Sequence, residues 1–461
     1  MPNNGVVITG VGPVSAIGCS RNEFWDALTA GTAGFGPITL CDASDSPSKI
    51  AAEVKDFQLS KYVAKGHVMA RHTPRPVQLA LAAGVLALHD SELDLDQVNA
   101  DRLGVYVGTS LGNFGDILEL NRKYMEKGTL PPHAAFHAFN HSAACVLSSF
   151  FNVRGPIHTV TSGCNSGMDA LGQATRMIQS GTADAILVVG TDCEIVPEIM
   201  AALNASNSLT TKYNEEPHRA SRPFELNRDG NVIGEGAAGL MLESEEYARK
   251  RGARIYAKVA GYQVCSAGQN RQYSHDSPDI DVRPCVRALR GAMSEAGWGL
   301  DEVDLINANG SSSVIYDRLE ARALQEAFGE QIEEIPIHST KSMLGQHGAG
   351  ASALQAVATA LTLRRGTAPP TINYEEPDPE CGPLNVLTEA KTYFPANVLI
   401  HSIGLGGFYY SATALAAPDD RTDMLSGRMK VRWSDEQHPM FQPSAEFQKP
   451  LDPWEPRQDE S

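Results

Sequence analysis

Short unbroken apolar runs alternate along this chain with longer Ala- and Leu-rich stretches, the pattern of buried strands separated by helices. Val6-Val-Ile-Thr-Gly-Val-Gly12 reads as a buried strand passing into a tight turn, with a helix following over Arg21–Thr29. Pro76–His89 opens on a proline suited to a first helical turn and continues in Ala and Leu, so it predicts a buried helix. Leu103–Gly108 follows as a strand, Gly167–Gln179 as a helix and Ala185–Val189 as a fully buried strand.

The same order then recurs in looser form. Ile255–Gly261 reads as a strand, Val286–Ala296 as a helix, Val303–Asn307 as a strand, Ala353–Leu363 as a helix and Val398–Ser402 as a strand. Two halves with one order predict an internally duplicated α/β fold. After Asp419 the pattern stops. Pro439, Pro443, Pro450, Pro453 and Pro456 interrupt a stretch holding Trp433, Phe441, Phe447 and Trp454. Long regular elements are not expected there. The stretch reads as a mobile or surface-draped tail, or as an arm that clasps a partner through its aromatics.

Composition narrows the class. With 461 residues, 42% hydrophobic and 20% charged, the chain has the balance of a globular protein with a large core. A formal net charge of -17 argues against non-specific nucleic-acid binding, which needs a basic face. The longest apolar runs are far too short for a bilayer, and Met1-Pro-Asn-Asn-Gly5 lacks a basic leader, so a cytoplasmic protein without a membrane partner is expected. The eight cysteines form no CxxC pair, which suggests neither a disulfide framework nor a metal site.

One cysteine stands apart. Thr159-Val-Thr-Ser-Gly-Cys-Asn-Ser-Gly-Met-Asp-Ala170 sets Cys164 in a small-residue turn just before a helix. Unpaired N–H groups and the helix dipole there lower a thiol pKa and can hold a developing oxyanion, so Cys164 is a candidate acyl acceptor.

Several motifs in one order resemble the β-ketoacyl synthases from Val6 to Ala416. Val7–Gly18 resembles the family's opening strand and turn, and the Cys164 segment its nucleophile turn. Ser221–Gly236 is similar to the family's "SRPFD…RDGFVxGEGA" segment, Thr340–Gly345 to its lysine motif and Gly404–Gly407 to its glycine loop. The resemblance implies a thiolase-like fold, with duplicated α/β halves in a five-layered αβαβα core. It divides the chain into a nucleophile-bearing half over 1–253, a second half over 254–418 and the irregular arm over 419–461.

It also implies two active-site histidines, and both positions are changed. Asn309 stands in Asn307-Ala-Asn-Gly-Ser-Ser-Ser313 where "NAHGTST" is usual, and Gln346 in Lys341-Ser-Met-Leu-Gly-Gln-His-Gly-Ala-Gly350 where "KSxxGHxxGA" is usual. His347, one residue on, is a candidate substitute. Lys341, Asp317, Glu320 and Glu235 match family positions, whereas Gln355 replaces a glutamate, and Ile403 and Leu405 replace phenylalanines. Cys164, Asn309, Gln346 and Lys341 are therefore the candidate catalytic residues, and Leu405, Gly406, Phe408 and His347 the candidate substrate-binding ones.

Neutral amides can donate to a thioester carbonyl but cannot transfer protons near pH 7. Acylation of Cys164 is expected to survive, and decarboxylative condensation is the step in doubt. The resemblance thus implies an atypical acyltransferase in polyketide or fatty-acid-type biosynthesis. It would be charged by an acyl carrier protein or CoA thioester, with no other cofactor and no metal. The alternative is a non-catalytic partner like a chain-length factor, paired with a complete ketosynthase; a third is a synthase that only relays acyl groups. A homodimer or such a heterodimer is expected.

Overall fold

A computed structural model describes residues 5–132, 134–268, 281–405 and 408–420. Gly406 and the aromatic arm residues Trp433, Phe441, Phe447 and Trp454 lie outside the described residues.

The alternating pattern folds into two copies of one sheet. In the first, the strand Val6–Val14 pairs antiparallel with Ile233–Ser244, which pairs antiparallel with Ala185–Cys193; Leu103–Gly108 and Ile157–Val160 follow in parallel. In the second, Ala257–Ser266, Tyr409–Ala416, Asn397–Ile403, Leu305–Asn307 and Pro336–His338 repeat the same order and the same orientations. The two sheets join where Val6–Ile8 pair with Ala257–Val259, giving one continuous 13-stranded sheet with the short flanking strands. Duplication read from the order of elements is thus present in the strand topology itself.

Helices cover and separate the sheets. Arg75–Ser91 and Ser142–Phe150 pack outside the first, and Arg283–Ala296 and Val314–Phe328 outside the second. Ser166–Gln179 and Gly348–Arg365 lie between the sheets and touch each other and strands of both halves. Helix, sheet, helix, sheet and helix make the five layers of a thiolase-like fold. Arg364 at the end of the central helix pairs with Asp420, and Lys258 and Arg249 pair with Asp419, so the start of the C-terminal arm is held against the core.

Element boundaries follow local chemistry. The helix Arg21–Thr29 is capped by Ser20, whose side chain accepts the Glu23 N–H. The strand read from Ile255 begins instead at Ala257, because Ile255 packs with Val7 and Ala248 at its entrance. The helix read from Ala353 begins earlier, at Gly348. Its first turns are small because backbones meet there. A Cβ on Gly190 would come within 2.5 Å of the Ala349 carbonyl oxygen. The strand Ile233–Ser244 is buried along its whole length and escaped the sequence reading, since its glycines and alanines carry no alternation.

Candidate active site

Cys164 sits two residues before the helix Ser166–Gln179, as its surrounding turn predicts. Gly163 takes φ +65, a left-handed conformation that a side chain disfavours, and this swings the chain into the helix. Ser166 ties the turn by accepting the Ser162 N–H at 2.8 Å and donating to the Gly163 carbonyl at 2.5 Å. Asn165, which the sequence reading passed over, fastens the turn to the other half of the molecule. Its Oδ1 accepts from the Ser402 hydroxyl at 2.9 Å and its Nδ2 donates to the Ser411 hydroxyl at 3.1 Å. Asp169, on the next turn of the helix, accepts from Ser162, Ser411 and Tyr262.

Cys164 opens onto a cavity of about 250 Å³. Leu111, Ile199, Leu203, Leu209, Ile233 and Ile403 give it apolar walls, and Glu194, Asn309 and Gln346 join Cys164 among its polar groups. Three of the four candidate catalytic residues, Cys164 from the first half and Asn309 and Gln346 from the second, therefore meet at one surface. Leu405 also lines the cavity. Phe408 does not: it is 41% exposed and its carbonyl accepts the Ala267 N–H.

The expected thiol activation is reversed. Burial pushes the Cys164 thiol up to about 11, and the nearby Glu194 raises it further, against hydrogen bonds from the Leu405 backbone N–H and the Gln346 amide and the charge of Lys341. The helix N-terminus is present where the sequence placed it. The local sequence could not convey that residues from both halves would exclude water from the sulfur.

Asn309 is held by a buried polar cluster. Its Oδ1 accepts from Lys341 Nζ at 3.0 Å and from the Ile403 N–H at 3.1 Å. With the oxygen so occupied, the amide NH₂ is the group left to face the cavity. Its backbone N–H donates to Glu320 at 2.7 Å, and Glu320 also takes the Gly310 N–H and contacts His401. Lys341, the fourth candidate, stands behind Asn309 and does not line the cavity. Its ammonium donates to the Asn309 carbonyl at 2.8 Å and to Gln355 Oε1 at 3.1 Å, and burial pulls its pKa down to about 8. It bonds amide oxygens rather than the carboxylate a family member would supply at position 355. Gln346 is fixed by its backbone N–H, which donates to the Val232 carbonyl at 2.8 Å, and its Oε1 is buried without a partner among the described residues.

His347 fails as a substitute imidazole. The one-residue offset turns its ring away from the cavity into a niche formed by Gly234, Gly236 and Gly350. Neither ring nitrogen has a hydrogen-bond partner among the described residues, and burial drives its pKa down to about 3. It is a neutral packing group at pH 7 and is not among the residues that line the cavity.

Glu194, like Asn231, Ser311 and Tyr316, is a polar cavity residue that sequence reasoning missed. It lies just past the strand Ala185–Cys193 in Asp192-Cys-Glu194, and an acidic residue leaving a buried strand was the available signal. Burial, and then the charge of Asp192, hold its carboxyl well above the usual carboxylate range. Asp192 itself accepts the Ser110, Leu111 and Ala349 N–H groups and the Thr109 hydroxyl.

A buried cysteine just ahead of a central helix between two duplicated sheets, facing the amides of Asn309 and Gln346 from the second half, fits a thiolase-like fold. Sequence comparison gives the family. Residues 3–248 match the β-ketoacyl synthase N-terminal domain and residues 256–375 its C-terminal domain, so the chain belongs to the β-ketoacyl synthase family. It is 36% identical over 409 residues to 3-oxoacyl-[acyl-carrier-protein] synthase 2 of Coxiella burnetii, covering 88% of this chain and 97% of that one. It is 35% identical over 423 residues to the tetracenomycin polyketide synthase ketoacyl synthase alpha subunit of Streptomyces glaucescens, covering 90% and 97%. Among solved structures, the ishigamide ketosynthase/chain length factor superposes with a TM-score of 0.82 at 30% identity over 90% of this chain and all of that one. A type II polyketide acyl-carrier protein in complex with its ketosynthase bound to the hexaketide matches equally, at 0.82 and 28% identity over 90% and 100%. No helix among the described residues is long and apolar enough to cross a membrane.

Proposed function

We propose that this protein is an acyltransferase of polyketide or fatty-acid-type biosynthesis that accepts an acyl group onto Cys164 from an acyl carrier protein or CoA thioester, and that it decarboxylates malonyl groups poorly. One observation carries the reading: Cys164 Sγ lies at an apolar cavity with the Leu405 N–H, the Gln346 amide and Asn309 around it. Such donors stabilise the oxyanion formed when a thioester is attacked, and one of them contributes roughly 3–4 kcal/mol in a favourable site. With His347 turned away and neutral, no imidazole lines the cavity among the described residues to assist decarboxylation. The thioester itself brings the reactive group, so no other cofactor or metal is required. Charging by a carrier protein and pairing with a second copy or with a complete ketosynthase go with this function.

Intact-mass analysis after exposure to acyl carrier proteins tests it. The wild type should gain the acyl mass and Cys164→Ala should not, while carbon dioxide release from malonyl carrier protein stays near background. If the wild type never acylates, yet changes at Leu405 alter the product length of a co-purifying ketosynthase, the chain-length-factor reading replaces this one.

A further inference from the structure

We propose that Glu194 is the proton-transfer residue of this site, relaying the Cys164 thiol proton to the departing thiol during acylation; this rests on the acyl-transfer reading above. The cavity that exposes Cys164 also exposes Glu194, and the two are close enough for the carboxylate charge to act on the thiol. No hydrogen bond from a described residue satisfies the Glu194 carboxyl, although the side chain is only 9% exposed. Its Oε1 packs against Gly348, where an added Cβ would approach to 2.9 Å, at the start of the second central helix. Structural buried carboxylates in this chain look different. Asp192, Asp169, Asp317 and Glu320 each accept two or more hydrogen bonds.

The chemistry requires such a group. A thiol held near 11 is protonated at neutral pH, and attack on a thioester must lose that proton while the departing sulfur gains one. Glu194, kept protonated by its surroundings, gives its proton to the departing sulfur as the carbonyl carbon–sulfur bond to the carrier breaks. In the same concerted exchange the Cys164 Sγ–H proton passes to the other oxygen of the Glu194 carboxyl as the Sγ–carbon bond forms. The donor thioester and the Cys164 thiol become the Cys164 thioester and the carrier thiol, and Glu194 ends protonated as it began. The titratable groups bearing on this carboxyl are Asp192 on its own strand and Cys164 across the cavity, with Lys341 acting on the thiol.

The test compares wild type, Glu194→Gln and Glu194→Ala as full-length proteins, using acyl carrier protein charged with a hexanoyl chain. Loading of Cys164 is followed by intact mass from pH 6 to 9. Glu194→Gln should load about 10²-fold more slowly or worse, reaching the same final extent. Acetate should restore part of the rate to Glu194→Ala in proportion to its concentration, which a packing role would not produce. Wild-type loading rates in Glu194→Gln across the range, or no rescue of Glu194→Ala by acetate, overturn the relay and leave acylation of Cys164 standing. A wild type that never loads overturns the acyl-transfer reading, and the relay with it.

Discussion

Raising pH on the resting protein separates two opposing accounts of Cys164. A helix N-terminus alone would lower the thiol pKa, giving alkylation that reaches its plateau at or below about pH 8. The structure gives the opposite balance, from the ordinary 9.0 to about 11. At pH 7.5 the thiolate fraction is then about a hundredfold smaller than that of an unperturbed thiol, equivalent to roughly 2.7 kcal/mol. Alkylation of the Cys164 peptide by iodoacetamide should be slower by about that factor than for a model thiol, and should climb about tenfold per pH unit past pH 9. Gln346→Leu removes a donor to the sulfur and should move the profile further up. A plateau near neutral pH, or a downward move in Gln346→Leu, would refute the burial argument.

Four further outcomes follow from the same geometry. Asn309→Ala should slow loading by about 10²–10³-fold with the fold intact, read by single-turnover mass spectrometry and circular dichroism; Asn309→His with Gln346→His should instead raise carbon dioxide release from malonyl carrier protein. Lys341 has a folded pKa near 8 against an ordinary 10.5, so burying its charge costs about 3 kcal/mol below pH 8, and that cost is relieved between pH 8 and 10.5. The wild-type stability minus that of Lys341→Met, from urea midpoints, should therefore rise across this window, and a flat difference would contradict it. Gly190→Ala should lower stability by about 1–3 kcal/mol in the same assay, because the new methyl meets the Ala349 carbonyl.

Much of the fold was legible because the local signals were strong and consistent. Ser20 ahead of the helix Arg21–Thr29, Leu103–Gly108 as a continuous buried run and the glycine turn before Cys164 each agree with the global structure. Asn309 and Gln346 were legible as site residues through the motifs around them. What stayed hidden depended on distant partners. Nothing near Asn165 announces Ser402 and Ser411, and nothing near Glu194 announces that its strand ends beside the nucleophile. His347 was misjudged because spacing alone does not give ring direction, which the glycine niche decides.

The internal repeat carries a consequence for how charge is met in the cavity. Cys164 precedes the helix Ser166–Gln179 by two residues, and Gln346 precedes the helix Gly348–Arg365 by two residues. Cys164 and Gln346 occupy matching stations of the two copies, and both central helices start beside the cavity these residues share, with their positive ends near it. Neither helix has a side-chain cap at its start; the Ser166 N–H donates to the Gly163 carbonyl and the Ala349 N–H to Asp192. An anion forming there is stabilised by two fixed dipoles that need no reorientation, an asymmetric chemistry drawn from a nearly symmetric frame.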